Sequence, residues 1–209
     1  LGLMGAIMLN TDLVMLGWLK SPEEVGYYSA AQKIIQLLYV LPALVATSMF
    51  PALTRFAHSD RQRANALLGK SVLAVCGASL PIAAIGIILA PFIITLFYGA
   101  AYAASITTFA LLMVTVIAVY PSTLLGNAMF AYDYQKRLVW LVALSTFGNV
   151  AFNFLLIPRW GIEGAAMATI IVQLIANVIL WRMVQRISGF ALLPHLRQLF
   201  ISRRASHSP

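Results

Sequence analysis

Two ionisable side chains stand inside apolar stretches of this sequence, Asp12 and Lys33. A charge in a bilayer core costs about 2.5–3.5 kcal/mol or more, so it faces a partner, a cavity or a ligand. Asp12 falls about 12 Å along a helix from Lys20, and Lys33 about 10 Å from Gly26. In an antiparallel hairpin these depths match. Asp12 then either pairs with Lys33 or takes up a proton or a sodium ion. Lys33 completes that pair, extends its stem outward to water, or attracts an anionic group such as a pyrophosphate.

Amides at helical spacing extend the set. Gly26, Ser29, Ala30, Lys33 and Gln36 share one helix face, with Gln32 on its flank. Ser145, Asn149 and Asn153 recur at i, i+4, and two amides one turn apart need partners, which favours a cavity wall. Ala165, Thr169, Gln173 and Asn177 recur the same way beside Gly164, Ala168 and Ala176, a small-residue face that reads as close packing. The candidate substrate-binding or coupling residues are Lys33, Asp12, Asn10, Gln36, Asn149 and Asn153. Pro42, Pro81 and Pro121 are candidate hinges or kinks, because each removes a backbone donor. Pro121-Ser122 with Gly126-Asn127 marks an expected irregular point.

Other chemistry is poorly served. Ala64 to Ser71 ends like a phosphate-binding loop but lacks its first glycine and a preceding strand. His58, Ser59 and Asp60 are merely adjacent, whereas a triad needs spatial geometry. His195 and His207 have no second ligand at metal-binding spacing, and Cys76 sits alone in an apolar stretch as a small hydrophobe. No catalytic residue and no metal site are expected. A membrane enzyme that polymerises or ligates glycans would need a large outer loop, and the outer connections are short.

These residues must be positioned by membrane helices. The chain has 209 residues, 61% hydrophobic and 10% charged, with a mean hydropathy of +0.88. Soluble domains carry about 25% charged residues, so a soluble enzyme, a nucleic-acid-binding domain and a disordered segment are all excluded. Six apolar runs reach spanning length, at 3–19, 28–53, 71–97, 104–131, 138–157 and 165–185, and predict an all-α integral membrane fold with six transmembrane helices. Eleven of the 14 Lys and Arg residues fall on one side, in 55–70, 132–137 and from Arg182 onward. The positive-inside rule places that side, and with it both ends of the chain, in the cytoplasm. The net charge of +8 is thus a topology signal and no nucleic-acid footprint. Residues 1–186 form the transmembrane lobe, and 187–209 a basic tail. In that tail Phe190, Leu193, Leu196 and Phe200 recur at helical spacing among Arg197, Arg203 and Arg204, as expected of an amphipathic helix on anionic lipid. The start at Leu1 without an initiator Met is expected of the middle of a larger protein or of a truncated one.

Asn10-Thr11-Asp12-Leu13-Val14-Met15-Leu16-Gly17, then Val25-Gly26-Tyr27-Tyr28-Ser29-Ala30-Ala31-Gln32-Lys33 and Phe50-Pro51-Ala52-Leu53, resemble the start of a half-repeat in bacterial polysaccharide flippases. Asn149-Val150-Ala151-Phe152-Asn153, Leu156-Ile157-Pro158 and Gly161-Ile162-Glu163-Gly164-Ala165-Ala166-Met167-Ala168-Thr169 resemble a second signature of the same group. The group is the Wzx-like branch of the multidrug/oligosaccharidyl-lipid/polysaccharide exporters. The resemblance covers about 1–185 and implies one lobe, helices seven to twelve, of a MATE-like twelve-helix transporter in the bacterial inner membrane. It implies alternating access that carries an undecaprenyl-pyrophosphate-linked glycan, an O-antigen or exopolysaccharide repeat unit, across the bilayer. Lys33 would hold the pyrophosphate or an acidic sugar, Gln36, Asn149 and Asn153 would meet sugar hydroxyls, and a proton or sodium ion on Asp12 would drive the cycle. The missing N-terminal lobe, or a second copy, is the implied partner. A multidrug exporter or a lipid II exporter of the same superfamily, and a non-transporting fragment or assembly partner, are the alternatives. A cation exporter would need acidic cavity residues, and Asp12 is the only acid within the spans.

Overall fold

The computed structural model describes residues 2–189, with side chains from residue 10 onward. The stretch beyond Gly189, with the amphipathic pattern from Phe190 to Phe200, lies outside the described residues. Everything regular among them is helical: α1 (Gly2–Leu19), α2 (Pro22–Leu38), α3 (Val40–Ser59), α4 (Arg61–Ile88), α5 (Ala90–Tyr98), a 3-10 turn at Ala100–Tyr102, α6 (Ser105–Ala131) and α7 (Gln135–Ser188). Among the described residues, four helical stretches are long and apolar enough to cross a membrane: Pro22–Ser59, Arg61–Ile88, Ser105–Ala131 and Gln135–Ser188. Trp18, Trp140 and Phe147 are more than three-quarters exposed on the outer surface, where only an apolar solvent or an apolar partner suits them.

Local chemistry sets the helix ends. Ser21 and Glu24 form a capping box at the start of α2, with Pro22 in the first turn. Asp60 caps α4 by accepting from the Arg63 backbone N–H. These are the orphan donors of a helix N-terminus finding partners.

Helix α7 is folded back on itself. Gly161 has φ 54° and ψ −132°, a conformation that costs glycine little and an L side chain much. Three residues on, a Cβ at Gly164 would lie 2.4 Å from the Leu156 carbonyl oxygen, so the returning backbone touches the outgoing one. Asn149 and Thr169, about 30 Å apart on a straight helix, are hydrogen-bonded at 3.3 Å. The element is therefore a hairpin with limbs 135–160 and 162–188.

The helix breaks only partly follow the prolines named above. Tyr39 separates α2 from α3, and Pro42 lies just beyond it. Pro42 cannot donate to the Leu38 carbonyl, and the Tyr120 hydroxyl from α6 donates to that oxygen instead, at 3.1 Å. A neighbouring helix thus satisfies the carbonyl that proline frees, as a bilayer requires. By contrast, α4 continues through Pro81 and α6 through Pro121. Residues Pro121 and Gly126 both lie within the single helix α6. The second break lies at Leu89, two residues before Pro91.

The core gathers on α6. It packs against α7, α4, α3 and α2, and of the four membrane-length stretches it is the most deeply buried. Phe109, Met113, Val116, Leu124 and Leu125 are its fully buried contributors. Gly86 on α4 leaves the space that the Met113 side chain fills, since a Cβ there would overlap its methyl carbon.

Candidate functional site

Asp12 points inward from α1 and is only 3% exposed. Three neutral groups from three directions hold its carboxylate. The Tyr28 hydroxyl on α2 donates to Oδ2 at 2.6 Å. The Thr169 hydroxyl, on the returning limb of α7, donates to the same oxygen at 2.7 Å. Asn153 Nδ2, on the outgoing limb, donates to Oδ1 at 2.7 Å. Asn153 also donates to Asn149 Oδ1 at 3.0 Å, and Asn149 donates to Thr169. Each bond to the charged carboxylate contributes about 1.5–3 kcal/mol, and together they offset a desolvation penalty of several kcal/mol. Asn153 Oδ1, fully buried, has no hydrogen-bond partner.

A cavity of about 80 Å³ opens beside this network. Asp12, Tyr28, Asn149 and Thr169 line it, and Gln32, Gln36, Tyr39 and Gln173 bring further polar groups to it. Ile35, Leu112 and Val172 supply its apolar lining. Its size admits a few waters or a small cation. Among the described residues, no group of three His, Cys, Asp or Glu is placed to hold a metal ion.

The six candidate residues separate. Asp12, Asn149 and Asn153 form one network, and Gln36 lines the adjoining cavity. Lys33 is exposed and does not pair with Asp12. It stands five residues beyond Tyr28, about 140° around α2, so a helix that turns Tyr28 toward Asp12 turns Lys33 away. Asn10 likewise lies about 200° around α1 from Asp12. It lines a separate apolar groove of about 500 Å³ with Val14, Trp18, Val150 and Phe154.

Two ligands of the carboxylate, Tyr28 and Thr169, were not among the candidates. Thr169 and Gln173 belong to the stripe read above as packing, yet both reach the cavity. That stripe is divided: Ala165 and Ala168 are buried in helix contacts, and Asn177 donates to the Ala118 carbonyl of α6. The signal available in sequence was that Thr169 shares the four-residue spacing of Asn149 and Asn153 and follows a turn that brings the two limbs together.

These features define a helical, multi-pass membrane protein with a buried carboxylate network. The profile of the family "Lipid II flippase MurJ" matches residues 16–202, and the chain belongs to this family. Among curated proteins it is similar to a probable flippase, AglR, of Haloferax volcanii, 25% identical over 171 residues, covering 80% of this chain and 36% of that one. It is also similar to a putative O-antigen transporter of Shigella flexneri, 23% identical over 165 residues, covering 78% and 38%. The chain thus spans well under half the length of these relatives. Among solved structures, a MOP superfamily transporter from Pyrococcus furiosus has the same fold, with a TM-score of 0.78, 15% identity and coverage of 88% of this chain and 42% of that one. An outward-facing MATE family multidrug resistance transporter follows at 0.74 and 17%, with the same coverage. The exporter superfamily suggested by the sequence motifs is therefore the right one.

Proposed function

We propose that this chain is one six-pass lobe of a twelve-helix flippase that carries a polyprenyl-pyrophosphate-linked glycan across a bacterial inner membrane by alternating access. The six passes are α1, α2 with α3, α4 with α5, α6, and the two limbs of α7. The coverage of only 42% of each solved neighbour supports a second lobe, or a second copy, as the partner that completes a central cavity. The basic ends of the helices support a cytoplasmic location for both chain termini.

One observation carries the mechanism: the lobe buries a carboxylate with neutral partners only, while a lysine on a neighbouring membrane helix stays exposed. The exposed cation suits a pyrophosphate or an acidic sugar. The buried acid, with the unpartnered Asn153 Oδ1 beside it, suits a coupling proton or sodium ion. Neutralising Asp12 changes the energy of the state in which it is buried, and only such a differential effect shifts a two-state transporter. The family's name and the names of both curated relatives, a probable flippase and a putative O-antigen transporter, favour a lipid-linked substrate over organic cations, and the exposed Lys33 disfavours a cationic ligand. Lipid II and an O-antigen repeat unit share the pyrophosphate that Lys33 would meet. In the full-length protein, Lys33→Ala and Asp12→Asn should each reduce glycan export in cells at least tenfold at normal expression. Unchanged export in both variants contradicts the site assignment.

A further inference from the structure

We propose that Tyr28 is the positioning residue that ties the charge state of Asp12 to the seat of α2, and through α2 to Lys33. The inference rests on the reading of Asp12 as the coupling centre.

The carboxylate joins three elements, and two of its three donors do not need it to stay together. Asn153 and Thr169 both stand on α7, whose limbs are held by the Asn149–Thr169 hydrogen bond and by the backbone contact at Gly164. Neither tie involves Asp12. Tyr28 alone of the three donors stands on α2, and its ring is fully buried at the α1–α2 contact. A bond to an ionised carboxylate is about twice as strong as a neutral one. Oδ2 already accepts from both Tyr28 and Thr169. A proton on Oδ2 weakens the acceptor that both donors share, and a proton or cation on Oδ1 does the same by neutralising the carboxylate. Either event loosens α2 and leaves α7 intact.

The rest of α2 is arranged to transmit this. Tyr39 lies eleven residues beyond Tyr28 on the same face, within about 20°. Its hydroxyl donates to Thr115 Oγ1 on α6 at 2.6 Å, since the Thr115 hydroxyl is itself turned to the Leu112 carbonyl. That lower tie joins neutral groups and sits at the helix break, so α2 is anchored at its lower end and held by a charge-dependent bond near its upper end. Lys33 lies between the two, on the exposed side. The titratable groups that face Asp12 are Tyr28 on α2 and Tyr39 across the cavity. The other polar groups around the cavity are the amides of Gln32, Gln36, Asn149 and Gln173, the amide of Asn153 and the hydroxyl of Thr169, and α6 presents Leu112.

The test reads the position of Lys33 directly. The full-length protein, with Cys76 and any other cysteines replaced, carries Lys33→Cys and is placed in vesicles. Labelling by a membrane-impermeant maleimide is followed from about pH 8 to about pH 5 at fixed sodium, and normalised to Ala100→Cys in the outer turn, which removes the effect of pH on thiol reactivity. The expected result is a several-fold change in normalised rate across the range. Asp12→Asn should hold the rate at its low-pH value, Tyr28→Phe should flatten the profile, and Thr169→Val should leave the change in place. A fluorinated tyrosine at position 28, a stronger donor of the same shape, should give a profile different from that of Tyr28, because it binds the charged carboxylate more strongly; this arm stands if Phe impairs folding. A flat profile with Tyr28 present overturns the proposal. So does a Tyr28→Phe or fluorotyrosine profile identical to that of Tyr28. A pH-dependent profile in Asp12→Asn overturns instead the reading of Asp12 as the titrating centre, and the proposal with it.

Discussion

At the scale of single residues, the network around Asp12 makes unequal demands on its members. Asn153 donates to a charged oxygen at 2.7 Å, whereas Asn149 donates to a hydroxyl at 3.3 Å. Removing a donor from a buried charge costs about 1.5–3 kcal/mol, and a neutral bond contributes about 0.5–1.5 kcal/mol. Asn153→Ala should therefore lower thermal stability in detergent clearly more than Asn149→Ala. Equal losses at 149 and 153 would show that the carboxylate is not the centre of the network. Much of this site was readable in advance. A lone acid in an apolar run and two amides one turn apart each require partners, and they proved to be partners of one another. Tyr28 was hidden because tyrosine is an ordinary core residue, buried here for its ring as well as its hydroxyl. Thr169 was hidden because the small residues around it gave its stripe the signature of close packing. Lys33 was misplaced relative to Asp12 because depth alone was matched. Rotation about the helix axis decides contact, and it separates the two.

At the scale of elements, long apolar runs announced the helices, and the breaks were less legible. A proline frees a carbonyl wherever it occurs, but whether the helix opens depends on the neighbours. At Leu38 the Tyr120 hydroxyl takes up the freed oxygen beside the α2–α3 break. Pro81 and Pro121 stay inside helices that pack continuously. The turn in α7 was marked by Gly161 and Gly164, and the structure gives each glycine its own reason: a positive φ at the first and backbone contact at the second. Gly164→Ala should prevent the limbs from closing and abolish folded, monodisperse protein in detergent. Gly126→Ala, with nothing within 4 Å of the new carbon, should be neutral or stabilise by up to about 1 kcal/mol. Size-exclusion profiles of the two variants make the comparison, and a well-folded Gly164→Ala protein would contradict the hairpin described for α7.

At the scale of the whole molecule, the charges and apolar surface define a membrane protein whose polar interior faces inward. The basic residues collect at one set of helix ends, while Asp12 is buried midway and Lys33 stays on an unpacked face. Such an arrangement suits a lobe that turns one face to a shared cavity and keeps a coupling centre within itself. The sequence pattern and the family agree on the superfamily, and the substrate is the claim that separates its branches. The decisive measurement is translocation by the full-length protein in vesicles of defined composition, comparing a fluorescent polyprenyl-pyrophosphate-linked glycan with a fluorescent organic cation. The account predicts that the lipid-linked glycan crosses the bilayer, that Asp12→Asn slows it at least tenfold, and that the cation is not moved. Transport of the cation with no movement of the glycan would contradict it.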